Sequence, residues 1–234
     1  MTPIVSLALA TLFLIASHFA LSHPLRAPLV RALGERGFIY LFMAVALAAL
    51  AWMIVAWRDA ADPSPAWVAP LWWWPIASGL TLFAGILLVG SLFGNPAFPR
   101  PGARPEPVRR QPTGVFAITR HPGNWSFILW AAVHLTLSGS LRNLIVAGGV
   151  LFLALVGTLA QDRKKERLMG EAWRDWEART SFVPFAALLQ GRLRWRNAVP
   201  DLIAVVGGLA LWALVTSYHA PLVSPLGDLV LRVF

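Results

Sequence analysis

The side chains best able to do chemistry in this sequence are its histidines, because it contains no cysteine. The five are His18, His23, His121, His134 and His219. Two of them, His18 and His134, fall inside long apolar runs, where an ionisable side chain is expensive to keep and marks a candidate functional site. The lack of thiolates excludes disulfides, iron–sulfur clusters and thiolate-ligated haem. A metal or haem would therefore need histidine, methionine, tyrosine or carboxylate ligands.

His134 is predicted to lie deep inside the fourth apolar run. It follows Phe127 by seven residues and Trp130 by four, so the three side chains share one helix face. Imidazole coordinates iron and aromatic rings pack against porphyrin, so a histidine of this kind facing the inside of a bundle is a candidate haem ligand. The alternative is a histidine that hydrogen-bonds a neighbouring helix.

His18 lies in the inner half of the first apolar run, on the same helix face as Thr11. His23 follows five residues later, about 140° around a helix, so the two do not form a metal pair on one face. We expect His23, which precedes Pro24, to lie at the water interface. His219, near the outer end of the last run, is expected to be solvated.

His121 opens the fourth apolar run, between Arg120 and Pro122. Thirteen residues, about 20 Å of helix rise, separate it from His134, so one cofactor centre cannot easily use both. We expect Arg120 and His121 to bind an anionic group at the inner surface. The alternative is that both anchor the helix end among lipid headgroups. No nucleotide-binding loop, Ser-His-Asp order or zinc-ligand spacing is present, and hydrolysis inside the bilayer is poorly supported.

The elements that must position these histidines are apolar helices. Of the 234 residues 57% are apolar and 13% charged, about half the charged fraction of a soluble domain. Runs near 20 residues long predict membrane spans. The predicted spans are roughly 3–22, 38–57, 72–93, 123–141, 144–161 and 199–217. The sequence therefore predicts an all-α polytopic membrane helical bundle of about six transmembrane helices, as a single domain over residues 1–234.

The basic residues predict how this bundle is oriented. Six spans place 17 of the 20 Lys and Arg on one side and three on the other. Because Lys and Arg crowd cytoplasmic loops, both termini are predicted to lie outside. The net charge of +9 then needs no nucleic-acid partner. A proline-rich stretch, 94–111, is expected to form a cytoplasmic loop, and the charged stretch 162–179, with Trp173 and Trp176, an amphipathic helix on the inner leaflet.

Several motifs together resemble those of a known family. They are His18 with Leu21-Ser22, Leu25-Arg26, Leu33-Gly34-Glu35-Arg36, Ile118-Thr119-Arg120-His121-Pro122-Gly123-Asn124, Ala132-Val133-His134 and Thr180-Ser181-Phe182-Val183-Pro184-Phe185. Over most of the chain they resemble the NnrU family. The resemblance implies a multi-pass protein of the bacterial inner membrane, linked to nitrite and nitric oxide metabolism (denitrification). The family also includes the plastid zeta-carotene isomerase, a membrane enzyme with haem b.

By this resemblance His18 and His134 would be haem ligands, and His121 would match another histidine of the motif. The implied function is binding of haem b, with nitrite and nitric oxide metabolism or the isomerisation of a lipophilic polyene. The two histidines are predicted to lie at different depths in the membrane. His18 lies near the inner end of its span, and His134 lies past the middle of its own span, counted from the inside. Helix tilt or a longer first helix would be needed to bring them level.

A second pattern starts at Arg120-His121-Pro122 and continues through Gly170, Trp173 and Trp176. This pattern resembles that of the membrane methyltransferases related to isoprenylcysteine carboxyl methyltransferase. It implies S-adenosylmethionine at the inner mouth, near Arg120, His121 and Asp162. Where those enzymes carry two adjacent glutamates, this chain has Gln161-Asp162.

A third hypothesis is a non-catalytic accessory protein of a respiratory reductase. In that case the basic inner face, including Arg163, Lys164 and Lys165, would dock the partner. Under every hypothesis membrane lipid surrounds the chain, and the first adds a lipophilic small-molecule substrate.

Overall fold

The computed structural model describes residues 2–60, 64–96 and 111–223, with side chains to residue 217. In these ranges the regular secondary structure is helical, apart from an isolated bridge between Val68 and Ser138. The helices are α1 (Pro3–Ser22), α2 (Arg26–Asp59), α3 (Trp73–Ser91), α4 (Val115–Ile118), α5 (Pro122–Leu137), α6 (Leu141–Met169), α7 (Glu171–Arg179), α8 (Ala186–Leu189) and α9 (Leu202–Val223), with a 3-10 turn at Trp195–Ala198. The predicted all-α class is confirmed.

Six apolar helices correspond to the six predicted spans. Four of them, α1, α2, α3 and α6, are long and apolar enough to cross a membrane. Of the other two, α5 is shorter, with 16 residues, and α9 is apolar over Leu202–Ser217, the part whose side chains are described. Their outer faces carry exposed apolar side chains such as Leu12, Leu47 and Leu202, which suits a hydrocarbon solvent. The chain is therefore a membrane helical bundle.

The order of the helices in space decides which histidines can meet. Helix α1 packs against α2 on one side and α6 on the other. Helix α6 also packs against α5, α5 against α3, and α3 against α9. The helices therefore pack side by side in the order α2, α1, α6, α5, α3 and α9. Helix α6 lies between α1, which carries His18, and α5, which carries His134.

Close packing of α3 on α9 depends on glycine. A Cβ added at Gly85 would lie 3.1 Å from the carbonyl oxygen of Gly208, and one at Gly208 would lie 2.7 Å from the backbone of Ile86. Small residues let helix backbones approach closely in membranes, where van der Waals contact drives helix association. These glycines therefore hold α9 against the rest of the bundle.

Helix α2 begins earlier than predicted, at Arg26. The stretch 26–37, expected to be a loop, is helical on both sides of a break at Gly34, where φ is 71° and ψ is 167°. Glycine adopts positive φ at little cost, so the break occurs at Gly34. The basic residues of this stretch, Arg26, Arg31 and Arg36, therefore lie on a helix and not in a loop.

Helix α6 continues beyond the predicted span end at Gln161 and ends at Met169. The next residue, Gly170, caps the helix with a φ of 56°. The chain then turns back as α7. Trp173 and Trp176 are fully buried and pack against Leu87 of α3 and Phe116 of α4. The amphipathic helix expected over 162–179 therefore forms in two parts, the end of α6 and α7, and the two tryptophans of α7 face the bundle rather than the lipid. Of the proline-rich loop expected at 94–111, residues 97–110 lie outside the described ranges.

Candidate functional site

A buried polar cluster lies where α5 begins, at the end of the bundle predicted to be cytoplasmic. We call Arg120, His121, Asp162 and Glu177 the Asp162 cluster. The guanidinium of Arg120 donates to both carboxylate oxygens of Asp162, with Nε at 3.0 and 3.1 Å and Nη2 at 2.6 Å. His121 Nε2 lies 2.7 Å from Asp162 Oδ1. One carboxylate therefore holds two side chains from the beginning of α5.

The segment before α5 is fixed by a neighbouring stretch of chain. Thr119 Oγ1 donates to the carbonyl oxygens of Ser181 and Phe182 at 3.2 and 2.7 Å. The backbone N–H of Arg120 donates to the Ser181 carbonyl at 2.9 Å. Pro122, at the first helical position, suits the helix start because it lacks an N–H that would be unpaired there. The Arg120 and His121 side chains are thereby aimed at α6.

The register of α5 against α6 brings Asp162 into place. Asn124 Nδ2 donates to Thr158 Oγ1 at 2.8 Å and to Gln161 Oε1 at 3.3 Å. Side-chain hydrogen bonds between membrane helices fix one helix against its neighbour. Since Asp162 follows Gln161 directly, this contact places its carboxylate beside the first turn of α5.

Aromatic rings enclose the imidazole of His121. Its ring centre lies 5.8 Å from that of Phe182 and 6.4 Å from that of Trp173, and its side chain is only 1% exposed. Trp125 donates from Nε1 to the Phe182 carbonyl at 2.8 Å, which fixes this wall. The imidazole is buried between these rings and the Asp162 carboxylate, which is itself paired with Arg120, so electrostatic interactions are stronger here than in water.

Glu177 of α7 forms the more exposed edge of the Asp162 cluster. Its Oε1 lies 3.5 Å from Arg120 Nη2, and its side chain is 28% exposed, against 14% for Asp162. Burial, and then the charge of Asp162, raises the pKa of Glu177 above its usual value. The cluster thus has an inner carboxylate bound to two donors and an outer one that takes up a proton more readily.

This geometry can perform proton transfer. A carboxylate only accepts hydrogen bonds, so the contact with Asp162 assigns the proton of neutral His121 to Nε2. Nδ1 is then the nitrogen that can accept a proton, and Asp162 stabilises the imidazolium that results. A buried imidazole oriented by a carboxylate is a general acid–base pair.

His18 lies elsewhere, in the second-last turn of α1. Its Nδ1 is 3.1 Å from the Leu14 carbonyl oxygen, and its ring packs edge-on against Phe42 of α2, with ring centres 5.1 Å apart. Since a carbonyl only accepts, Nδ1 carries the proton of the neutral ring. This histidine therefore lies on α1 near its inner end, against α2.

His134 lies in the last turn of α5 rather than deep within the span, because α5 ends at Leu137 and not at 141. Its Nδ1 donates to the Trp130 carbonyl at 2.7 Å, and its ring lies 4.2 Å from the Trp130 ring. Asn143 of α6 donates to the His134 carbonyl at 2.7 Å. The residue therefore belongs to the outer end of the bundle, beside the turn into α6.

A haem iron held by both residues does not fit this arrangement. His18 is four residues from Ser22, whose carbonyl accepts from Lys164 near the inner end of α6, whereas His134 is level with Asn143 at its outer end. The two rings therefore differ in depth by more than about 10 Å. Imidazole–metal bonds are about 2 Å long, so nitrogens on one iron lie about 4 Å apart. Among the described residues no group of three or more His, Asp or Glu could hold a metal ion.

Sequence reasoning named Arg120, His121 and Asp162 together only in the methyltransferase hypothesis, and the structure brings these three into contact. It missed Glu177, although a signal existed. Glu177 lies four residues after Trp173 and one after Trp176, on the face of α7 that is otherwise aromatic. A carboxylate on the buried face of an amphipathic helix indicates a buried partner, which here is Arg120.

Comparison with known proteins agrees with this architecture. The model of the family described as NnrU protein matches residues 6–225. The chain is 34% identical over 80 residues to proteins named 15-cis-zeta-carotene isomerase, chloroplastic, from Zea mays and Arabidopsis thaliana. Those 80 residues are 34% of this chain and 22% of each relative, so the match spans about a fifth of the relatives' length. No solved structure matches the chain significantly. Because the family model covers nearly the whole sequence, the chain belongs to the NnrU family.

Proposed function

We propose that this protein is a membrane-embedded isomerase of a lipophilic polyene and that His121 is its acid–base group. The observation that carries the proposal is the fully buried His121 imidazole, 2.7 Å from the Asp162 carboxylate, inside a chain related to proteins named as zeta-carotene isomerases. The substrate class comes from the names of those relatives. The acid–base role comes from the geometry of the Asp162 cluster.

The chemistry requires only a proton. Rotation about a conjugated double bond is blocked by its π bond. Adding a proton to one carbon of the polyene leaves a delocalised cation, in which the bond turns more easily. Returning the same proton to the base restores the polyene in its new geometry, with no net change in atoms or electrons. In the imidazolium form of His121, Nδ1–H would give this proton to the polyene, which leaves the neutral ring, and Nδ1 would then take the proton back. Asp162 would hold the ring through Nε2 in both forms.

The aromatic wall supports this assignment. The Phe182 and Trp173 rings lie 5.8 and 6.4 Å from the His121 ring, centre to centre. Aromatic faces attract cations, and the guanidinium of Arg120 already lies over the Phe182 ring at 5.8 Å. The Trp173 ring would favour a cationic polyene over the neutral substrate, which is the requirement for catalysis. An apolar substrate also suits the aromatic side of the site, formed by Phe182 and Trp173, and it would arrive from the lipid.

The experiment is an isomerisation assay in liposomes. Purified protein is reconstituted with 15-cis-zeta-carotene in the dark, and the isomers are separated by chromatography over time. The proposal expects conversion by the wild type above that of empty liposomes, and conversion that falls sharply in Asp162→Asn. Wild-type protein that is folded by size exclusion yet converts no substrate would contradict the proposal.

Three predictions from the resemblance stay predictions: the binding of haem b, the link to nitrite and nitric oxide metabolism, and a place in the bacterial inner membrane. The proposed proton transfer uses none of them. The absorption spectrum of protein purified after expression with added haem tests the first, since bound haem gives a strong Soret band. His18 and His134 would not serve one iron together in this structure.

A second candidate is a methyltransferase that uses S-adenosylmethionine, favoured by the assembly of Arg120, His121 and Asp162. One contact argues against it. The guanidinium of Arg120 is already bound to Asp162 through two nitrogens and lies 3.5 Å from Glu177, so little of it remains for the carboxylate of the cofactor. Calorimetry with S-adenosylmethionine decides: saturable heat that is lost in Asp162→Asn supports this candidate, and a flat titration removes it.

A further inference from the structure

A second charged site lies where α1 ends, α2 begins and the charged extension of α6 passes beside them. We call Arg26, Lys164 and Lys165 the basic cluster. Lys164 Nζ donates to the Ser22 carbonyl at 3.1 Å, which brings its ammonium to the C-terminal end of α1. Arg26 is close enough to repel both lysines. Three cations from two separate parts of the chain therefore converge, although like charges oppose this.

The protein supplies too little negative charge to balance them. In the described part of the chain, Glu35 is the carboxylate that lies against this cluster, with Oε1 3.4 Å from Arg26 Nη2. Asp162 is occupied by Arg120 and His121, and Glu166 lies 3.9 Å from Arg174. The side chain of Arg26 is only 23% exposed. Three partly buried cations share the single carboxylate of Glu35, which is costly, so an external anion would stabilise the cluster.

His23 lies beside the basic cluster. Burial, and then the charges of Lys164 and Arg167, hold the pKa of His23 below its usual value. Its imidazole is therefore neutral at neutral pH and offers both a donor and an acceptor to a bound group. A phosphate can use such a partner, because it accepts hydrogen bonds at several oxygens.

The surface next to the basic cluster is apolar. Phe19 of α1 meets Phe152 of α6, with ring centres 6.2 Å apart, and Phe152 is 52% exposed. Leu25, next to Arg26, is also exposed. The surface formed by α1 and α6 is thus apolar around Phe19 and Phe152 and basic at its end. A phospholipid has the complementary pattern: acyl chains, then a phosphate.

We propose that Arg26, Lys164 and Lys165 bind the phosphate of an anionic phospholipid whose acyl chains lie against Phe19 and Phe152. This site is separate from the Asp162 cluster, and the proposal does not depend on the isomerase function. It assigns Lys164 and Lys165 to lipid rather than to a docked protein partner. The bound lipid would hold α1 and α2 against α6.

The experiment compares full-length protein in nanodiscs of phosphatidylcholine with and without phosphatidylglycerol. Thermal stability is measured over a series of phosphatidylglycerol contents. The test variant is Lys164→Gln with Lys165→Gln, and the control is Arg194→Gln with Arg196→Gln, which removes the same charge from an exposed turn. Lys164→Arg with Lys165→Arg keeps the charge and should keep the response.

We expect phosphatidylglycerol to stabilise the wild type, the control and the arginine variant. The glutamine variant should need about 25-fold more of it, since each of the two basic residues near an anionic surface contributes a factor of about five. Equal responses in the test and control variants would overturn the proposal, because they would show only general charge attraction. Equal stabilisation by inorganic phosphate in phosphatidylcholine nanodiscs would overturn the assignment to lipid.

Discussion

His121 Nε2 lies 2.7 Å from Asp162 Oδ1, although the two residues are 41 positions apart in the chain. The same carboxylate accepts a second set of hydrogen bonds from Arg120, so a single side chain of α6 fixes the beginning of α5. Both the fold and the proposed chemistry depend on this carboxylate. Predictions for its removal are therefore the most informative.

Asp162→Asn should destabilise the protein by about 3 kcal/mol, because it leaves the mostly buried Arg120 guanidinium without its main partner. Unfolding of detergent-solubilised protein in increasing denaturant measures this. The matched control on the same helix is Glu166→Gln, whose pair with Arg174 is exposed and 3.9 Å long. It should cost less than about 0.5 kcal/mol. Equal losses in the two variants would contradict the account of the Asp162 cluster.

Glu177 should impose a pH dependence on stability. Burial and the charge of Asp162 raise the pKa of Glu177, so the folded protein binds this proton more tightly than the unfolded chain does. Its contribution to stability is therefore present at low pH and is lost as the pH rises through the raised value. The melting temperature of Glu177→Gln minus that of the wild type should rise with pH across the acidic range. A difference that falls with pH would be the opposite of what this geometry implies.

Gly208→Ala should weaken the packing of α9 on α3. The added Cβ would lie 2.7 Å from the backbone of Ile86, which cannot rotate away as a side chain can. Such overpacking costs about 1–3 kcal/mol. Gly157→Ala, in α6, is the control because its Cβ would meet nothing within 4 Å, and alanine should be neutral or slightly stabilising there. Thermal unfolding of both variants in one detergent compares them directly.

If the purified protein carries haem, His18→Gln and His134→Gln should not both abolish the same Soret band. The two residues lie near opposite ends of the bundle, with α6 packed between their helices. Absorption spectra of the two variants, expressed with equal haem supply, test this. Loss of one common band in both would mean that the helices rearrange to bring these histidines together.

The sequence was sufficient for the helical membrane fold, since apolar runs predict spans from their length alone. It was less informative where tertiary contact overrides the local pattern. Trp173 and Trp176 look interfacial beside charged neighbours, but the reversal at Gly170 buries them. His134 looked central because the end of α5 at Leu137 has no strong local signal. The partner of Arg120 could be named only through a resemblance, because nothing local links residues 42 positions apart.

The central claim is that His121, and not His134, lies at the reactive site. The most direct measurement is the rate of 15-cis-zeta-carotene isomerisation in liposomes by His121→Gln and His134→Gln, each compared with the wild type. Glutamine at 121 can keep an N–H directed at Asp162 but cannot shuttle a proton. We expect its rate to fall by about 100-fold or more, while His134→Gln stays close to the wild type. Full activity in His121→Gln with loss of activity in His134→Gln would contradict the account.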